Sequence, residues 1–154
     1  MAKKPKKINI SKEIWEPEEI PDKALLYCYV FKRNINSETN NPLEKTFKNT
    51  PFKTGTDLSS DWNKYSSPEE TRQRLAKQQK QKGGFKNPDD YFVVQLSVQK
   101  IRTEIPSQTI KHDPIQNDLV LPDNRAHTKI IGEKDPEVRL KFVDIYEWAI
   151  PPEN

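Results

Sequence analysis

Residues 135–150 read DPEVRLKFVDIYEWAI, and two folds compete for them. As a helix, the stretch has Asp135 as a cap, Pro136 in the first turn, and Val138, Phe142, Ile145 and Ala149 at helical spacing. That reading leaves Leu140 exposed. As a strand, it alternates through Val138, Leu140 and Phe142, then Tyr146, Trp148 and Ile150, and it drops Asp144 onto the apolar face. The Asp-Pro-Glu start is the more specific signal and favours the helix. The strand alternative stays open.

Working outward, residues 121–134, LPDNRAHTKIIGEK, hold a polar turn from Asp123 to Thr128 between two apolar flanks. Residues 128–131 after it suit a short strand that Gly132 ends. Residues 91–98, YFVVQLSV, alternate cleanly, with Phe92, Val94, Leu96 and Val98 on one face, and predict a strand. A further short strand is expected over 109–111. Residues 24–31, ALLYCYVF, are too short for a typical buried helix and rich in aromatic residues, so they predict a buried strand.

The clearest local signal lies over 66–84, SSPEETRQRLAKQQKQKGG. Ser67 can cap a helix, Pro68 fits its first position, and Glu70 completes a Ser-x-x-Glu capping box. Gly83 and Gly84 supply the stop. Leu75 and Ala76 are the only apolar residues inside, so an exposed basic helix over 67–83, held by few contacts, is expected. Residues 32–66 show no periodicity and read as a long irregular middle loop. The scattered Leu43, Phe47, Phe52, Leu58, Trp62 and Tyr65 argue that this loop packs down in places.

These readings combine into one small α+β domain over 24–150. It has a short, mostly antiparallel sheet of three to five strands, one or two helices and the long middle loop. Residues 1–23 form a basic tail and lead-in, on which Ile14 and Trp15 dock to the body, and 151–154 form a short tail. The chain of 154 residues is only 32% apolar and carries thirteen prolines, so the core is expected to be small. Cys28 is the one cysteine, and its apolar neighbours mark it as a buried, inert thiol. Neither a secretory leader nor a run long enough to cross a bilayer is legible, and a soluble cytoplasmic protein is expected.

The net charge of +3 hides an asymmetry. Residues 1–12 carry five lysines and no acid, and residues 72–86 carry six cations and no acid. The remaining body is therefore acidic, which invites a charged partner. Glycine-rich phosphate loops, Cys-x-x-Cys pairs, His-Glu-x-x-His and Gly-x-Ser-x-Gly are all absent from the sequence, and no cofactor or metal is implied.

What remains is a constellation of His112-Asp113 with Asp123, Asn124, Arg125 and His127. His112 and His127 are candidates for an acid–base pair if a hairpin brings them together, with Arg125 on a phosphate or carboxylate. The plainer reading makes Asp123 to His127 a turn whose side chains satisfy backbone groups. Arg72, Arg74, Lys77, Lys80 and Lys82 form a candidate docking surface for an acidic partner. A nucleic-acid backbone fits it less well, because the helix carries no aromatic residue to stack on bases.

The segments ALLYCYV, TFKN, GTDLSSDWNKYSSPEETRQR, VVQLSVQKIR, IKHDP, LPDNRAHTKIIGEK and EVRLKFVDIYEWAI, in that order, make the chain resemble a family of uncharacterised bacterial proteins. The resemblance spans roughly residues 24–150 and is most specific at PDNRAH. It implies a small stand-alone cytoplasmic protein, of a kind found in multigene neighbourhoods of a defence or conflict type, with no agreed activity. The family pattern tends to place Tyr-Arg in the first strand, a faint likeness to ADP-ribosyltransferase-like folds. This chain has Tyr27-Cys28 there, so no catalytic role carries over.

The leading expectation is a non-enzymatic accessory or regulatory subunit of a bacterial multicomponent system of an antiviral-defence kind, with a protein partner from its own operon. One alternative is a nucleotide- or nucleic-acid-directed enzyme using His127 and His112. The other is a nucleic-acid-binding module using residues 72–86.

Overall fold

The structure is a computed structural model that describes residues 13–49, 57–80 and 82–152. The tail lysines Lys3, Lys4, Lys6, Lys7 and Lys12 and the loop residue Phe52 lie outside the described residues. Six strands of the described residues form one sheet: β1 Leu25–Phe31, β2 Asp57–Trp62, β3 Tyr91–Ser97, β4 Thr109–His112, β5 His127–Ile131 and β6 Glu147–Ile150. Their order is β4-β5-β2-β1-β3-β6, and every neighbouring pair is antiparallel. Among the described residues three short helices complete the α+β domain: α1 Pro68–Gln73, α2 Val98–Glu104 and α3 Pro136–Ile145.

Strand alternation sorts the side chains onto two faces. Leu26, Cys28 and Val30 of β1 share a face with Leu58 and Trp62 of β2, Val94 and Leu96 of β3, and Ile130 of β5. Helices α2 and α3 cover this face with Val98, Ile101, Phe142 and Ile145, and Phe47 stacks on Phe142 with ring centroids 5.5 Å apart. Phe142 is fully buried, a placement that contributes about 1.5–3 kcal/mol. The opposite face carries Tyr27, Tyr29, Asp61, Val93 and His127. Helix α1 and the 3-10 turn Arg74–Lys77 lie over part of it, with Thr71 and Leu75 buried.

The two competing readings of residues 135–150 each hold for part of the length. Asp135 caps α3, its Oδ1 accepting from the Val138 N–H at 2.9 Å, and Pro136 sits at the first helical position. The helix buries Phe142 and Ile145 and leaves Leu140 exposed, the cost foreseen for it. It ends at Ile145, and β6 then pairs with β3 through Trp148↔Val94 and Ile150↔Val93.

The middle loop contains a strand that the sequence did not announce. β2 is a central strand between β5 and β1, formed by DLSSDW. Serine and aspartate are poor strand formers on average. Here β5 pairs along residues 57–61, β1 joins at Asp61 and Trp62, and the Ser60 and Asp61 side chains find partners. The basic helix is also shorter than expected. The capping box forms in full, with Ser67 Oγ accepting from Glu70 N and Glu70 Oε1 accepting from Ser67 N. Yet α-helix lasts only to Gln73, the next turn tightens to 3-10, and the chain reverses through a Gln79↔Phe85 bridge at Gly83 and Gly84. Leu75 is fully buried and Arg74 largely so, so this segment is docked, not exposed. β3 likewise stops one residue early: Ser97 caps α2, and Val98 is its first residue.

Candidate functional site

The two polar regions singled out in the sequence meet at Asp61, a residue of β2 that sequence reasoning passed over. Asp61 is 4% exposed. Its Oδ1 accepts from Asn124 Nδ2 at 2.8 Å, and its Oδ2 accepts from Thr71 Oγ1 at 2.8 Å and Arg74 Nη1 at 2.5 Å. Asn124 in turn accepts from the Ala126 N–H, and Ser66 Oγ lies 2.8 Å from Thr71 Oγ1. One buried carboxylate therefore ties the central strand to α1, to the 3-10 turn and to the Asp123–His127 turn. A charge at this depth is tolerated because it is paired and hydrogen-bonded on both oxygens.

Above this knot lies an open groove of about 280 Å³ lined by Glu70, Gln73, Arg74, Lys77, Pro122 and Asp123. Cations and carboxylates both line it, and Arg74 is already committed to Asp61. The other residues of the expected basic surface divide. Arg72 donates through Nε to the Pro88 carbonyl and lies 3.8 Å from Asp89. Lys77, Lys80 and Lys82 are exposed. Two of five candidate cations thus hold the fold together, which narrows the surface left for docking.

The expected pairing of His112 with His127 does not form. His112 faces Thr128 across the β4–β5 pair, and His127 is the residue before it, so the two imidazoles point to opposite faces of the sheet. Each ring is also engaged. His112 Nδ1 accepts from the Glu18 N–H at 3.0 Å, so Nε2 carries the proton and donates to the Arg125 carbonyl at 2.7 Å. The ring stacks on Tyr65 and meets Trp62 edge-on. It is a packed histidine whose Nδ1 holds the backbone of Glu18.

Arg125, the candidate anion holder, is engaged by its own chain. Its guanidinium lies 4.4 Å from the centre of the Tyr65 ring and 5.9 Å from that of Trp15. The Glu13 and Glu18 carboxylates stand 3.8 and 4.0 Å away. Trp15 therefore docks as the sequence suggested, whereas Ile14 beside it stays 73% exposed. Hydrogen bonds from Lys64 and Tyr65 hold the Glu18 carboxyl below its usual range.

His127 lies on the Asp61 face. Its Nδ1 is 2.8 Å from the Asp113 carbonyl oxygen and 3.5 Å from that residue's Oδ2, and its Nε2 is 3.3 Å from Ser59 Oγ. Asp113 stands beside His112 in the sequence, whereas Ser59 becomes visible only once β2 is placed. Lys129 also reaches Asp113 Oδ2, at 3.4 Å. Cys28 is buried, and burial pushes its thiol up to about 12. Among the described residues no cluster of three or more His, Cys, Asp or Glu groups could hold a metal ion. No helix among them is long and apolar enough to cross a membrane.

The loop between β4 and β5 makes one further feature. Ile115 and Asn124 pair through two backbone hydrogen bonds and close residues 116–123 into a loop. Asp118 Oδ2 accepts from the N–H groups of Val120 and Leu121, and Asp123 Oδ1 accepts from that of Asn117. At the tip, Leu119 is fully exposed and Val120 is 74% exposed.

No family model, curated protein or solved structure matches this chain. Its function rests on the geometry of its own residues.

Proposed function

We propose that this chain is a non-enzymatic interaction protein that presents the 116–123 loop to a protein partner. In that role it serves as an accessory or regulatory subunit of a bacterial multicomponent system, of the defence kind that the family resemblance implies. The observation that carries this reading is the held-out pair Leu119 and Val120. Single exposed apolar residues are ordinary. Two adjacent ones on a loop pinned at its base and at its tip are pre-organised to enter a partner's pocket with little ordering cost. Asn124, at the base of that loop, is tied to Asp61, so the rigid sheet supports the tip directly. The exposed Lys77, Lys80 and Lys82 supply charge that steers an acidic partner.

The test is co-expression of the tagged chain with the products of its neighbouring genes, alongside a Leu119→Ser, Val120→Ser variant. We expect a stoichiometric complex that weakens ~10-fold or more in the variant, with an unchanged melting temperature. A wild-type chain that runs as a compact monomer and binds none of those products sinks the reading.

A second reading has one specific observation behind it: Ser59, His127 and Asp113 stand in the order of a nucleophile, a base and an orienting acid. It ranks below the first because His127 Nδ1 bonds primarily to a main-chain carbonyl, and Asp113 divides its carboxylate between His127 and Lys129. A fluorophosphonate probe decides. Labelling of Ser59 that is abolished by His127→Ala favours an acyl-transfer enzyme, and absence of labelling removes it.

A further inference from the structure

We propose that Gln116, His112, Arg125, Tyr65 and Lys64 form a recognition site for an extended peptide segment of a partner protein. The segment it fits bears an aromatic residue and, three positions on, a glutamate. Residues 13–18 of this chain occupy the site in cis.

The contacts are those of peptide recognition rather than of a strand in a sheet. Residues 13–20 belong to no helix or strand. The side-chain amide of Gln116 reads their backbone from both ends: Oε1 accepts from Trp15 N–H at 2.9 Å, and Nε2 donates to the Glu13 carbonyl at 2.7 Å. His112 Nδ1 takes the Glu18 N–H. These three bonds are indifferent to sequence and fix an extended backbone. Two side chains supply selectivity. Trp15 lies against the Arg125 guanidinium, whose other neighbour is the Tyr65 ring. The Glu18 carboxylate takes Lys64 Nζ at 2.6 Å and the Tyr65 hydroxyl. Ile14 before the first anchor and Glu16 and Pro17 between the two contribute nothing inward, since all three are exposed.

The strap has a natural hinge. Ile20 is buried and its carbonyl is held by Arg102, and Ala24 N–H closes a turn on Pro21. The exchangeable part is therefore 13–18, and its base stays fixed when it lifts. Among the described residues Arg125 Nε is buried without a hydrogen-bond partner, and the Arg125 guanidinium is no closer than 3.8 Å to the Glu13 and Glu18 carboxylates. The cis segment thus leaves the site's central cation incompletely satisfied. A partner segment that also carries an acid at the position Glu13 holds, two before the aromatic, and sets it squarely on Arg125 gains a contact that residues 13–18 lack and offsets their tether advantage. This site stands on different residues from the Leu119–Val120 tip and is tested without it.

The experiment uses the full chain carrying Trp15→Ala and Glu18→Ala, which empties the site of its side-chain anchors. A fluorescein-labelled peptide with the sequence of residues 13–20 is titrated and followed by anisotropy. We expect it to bind the double variant ~10-fold or more tighter than the wild type, whose own strap competes. The same peptide with both anchors replaced by alanine binds neither. Equal binding to both chains, or no binding to a double variant that circular dichroism shows folded, overturns the proposal. Hydrogen exchange on the wild type supplies an independent readout. The amides of Trp15 and Glu18 are expected to exchange by local opening, far faster than those of Val93 and Val94. Exchange at the β3 rate would make the strap part of the cooperative fold and end the proposal. A wild-type dimer that the double variant cannot form would place a second copy's strap in the site instead, and also overturns it.

Discussion

On one face of the sheet, Phe142, Ile101 and Leu96 are buried among apolar neighbours; on the other, at the same depth, lie Asp61, Thr71 and Asn124. The first group is held by excluded water and close packing, which act in every direction and ask only for the right volume. The second group is held by named partners at 2.5–2.8 Å, and each fails if its partner is removed. The apolar face can be repacked, whereas the polar face specifies one arrangement of α1, β2 and the Asp123–His127 turn.

Asp61→Ala separates the two most sharply. It is expected to cost about 3–5 kcal/mol, because Arg74 is left unpaired at depth. Adding Arg74→Met should recover part of that loss, so that the double variant is more stable than the sum of the two singles. Urea midpoints check both, and an Asp61→Ala cost below about 1 kcal/mol would break the contrast. Phe142→Ala should cost a similar amount, about 3–5 kcal/mol. Phe142→Leu should lose far less, because the apolar face requires volume rather than identity. Ser67→Ala, which removes the cap of α1, should cost about 1 kcal/mol, seen as a small drop in midpoint with the Asp61 network intact.

The smallest effect is a pH dependence on the side of the apolar face. Lys134 is 6% exposed, donates to the carbonyls of Ile130 and Gly132, and is pushed down to about 8 by burial. Between about 8 and its unfolded value the unfolded chain binds more protons than the folded one, so stability rises with pH there. Cys28, pushed up by burial, works in the opposite direction above about 9. From pH 8 to 9 the Lys134 contribution is a gain of about 1 kcal/mol, of which the onset of Cys28 ionisation in the unfolded chain offsets part. Lys134→Met should flatten that rise, and a wild type without it would mean that the ammonium is better solvated than its burial suggests.

The apolar face was largely legible. β1 and β3 announce themselves through alternation and aromatic content, and Asp135-Pro136 marks the start of α3. The capping box of α1 is correct to the residue. Two elements escaped: α2, over residues 98–104, where no helix was expected, and β2, because Ser59, Ser60 and Asp61 satisfy no local strand rule and become strand residues only through neighbours far along the chain. The candidate site was half legible for the same reason. Asn124, Arg125, His127 and Arg74 were visible as polar residues in suggestive places. Asp61, the shared partner of Asn124 and Arg74, lay in the segment read as loop, and the placement of β4 and β5 separated the two histidines.

The order of the strands also bears on how the chain matures. β1 pairs along its whole length with β3, from Leu25↔Ser97 to Phe31↔Tyr91, but with β2 at only two positions. During synthesis LLYCYVF therefore leaves the ribosome some 60 residues ahead of its main partner. At about 5–20 residues per second this is an interval of several seconds. For that interval a hydrophobic, uncharged, proline-free strand stands unpaired, the composition most prone to intermolecular pairing. Nascent-chain crowding and chaperone supply, more than the stability of the finished domain, would then set the yield of folded protein.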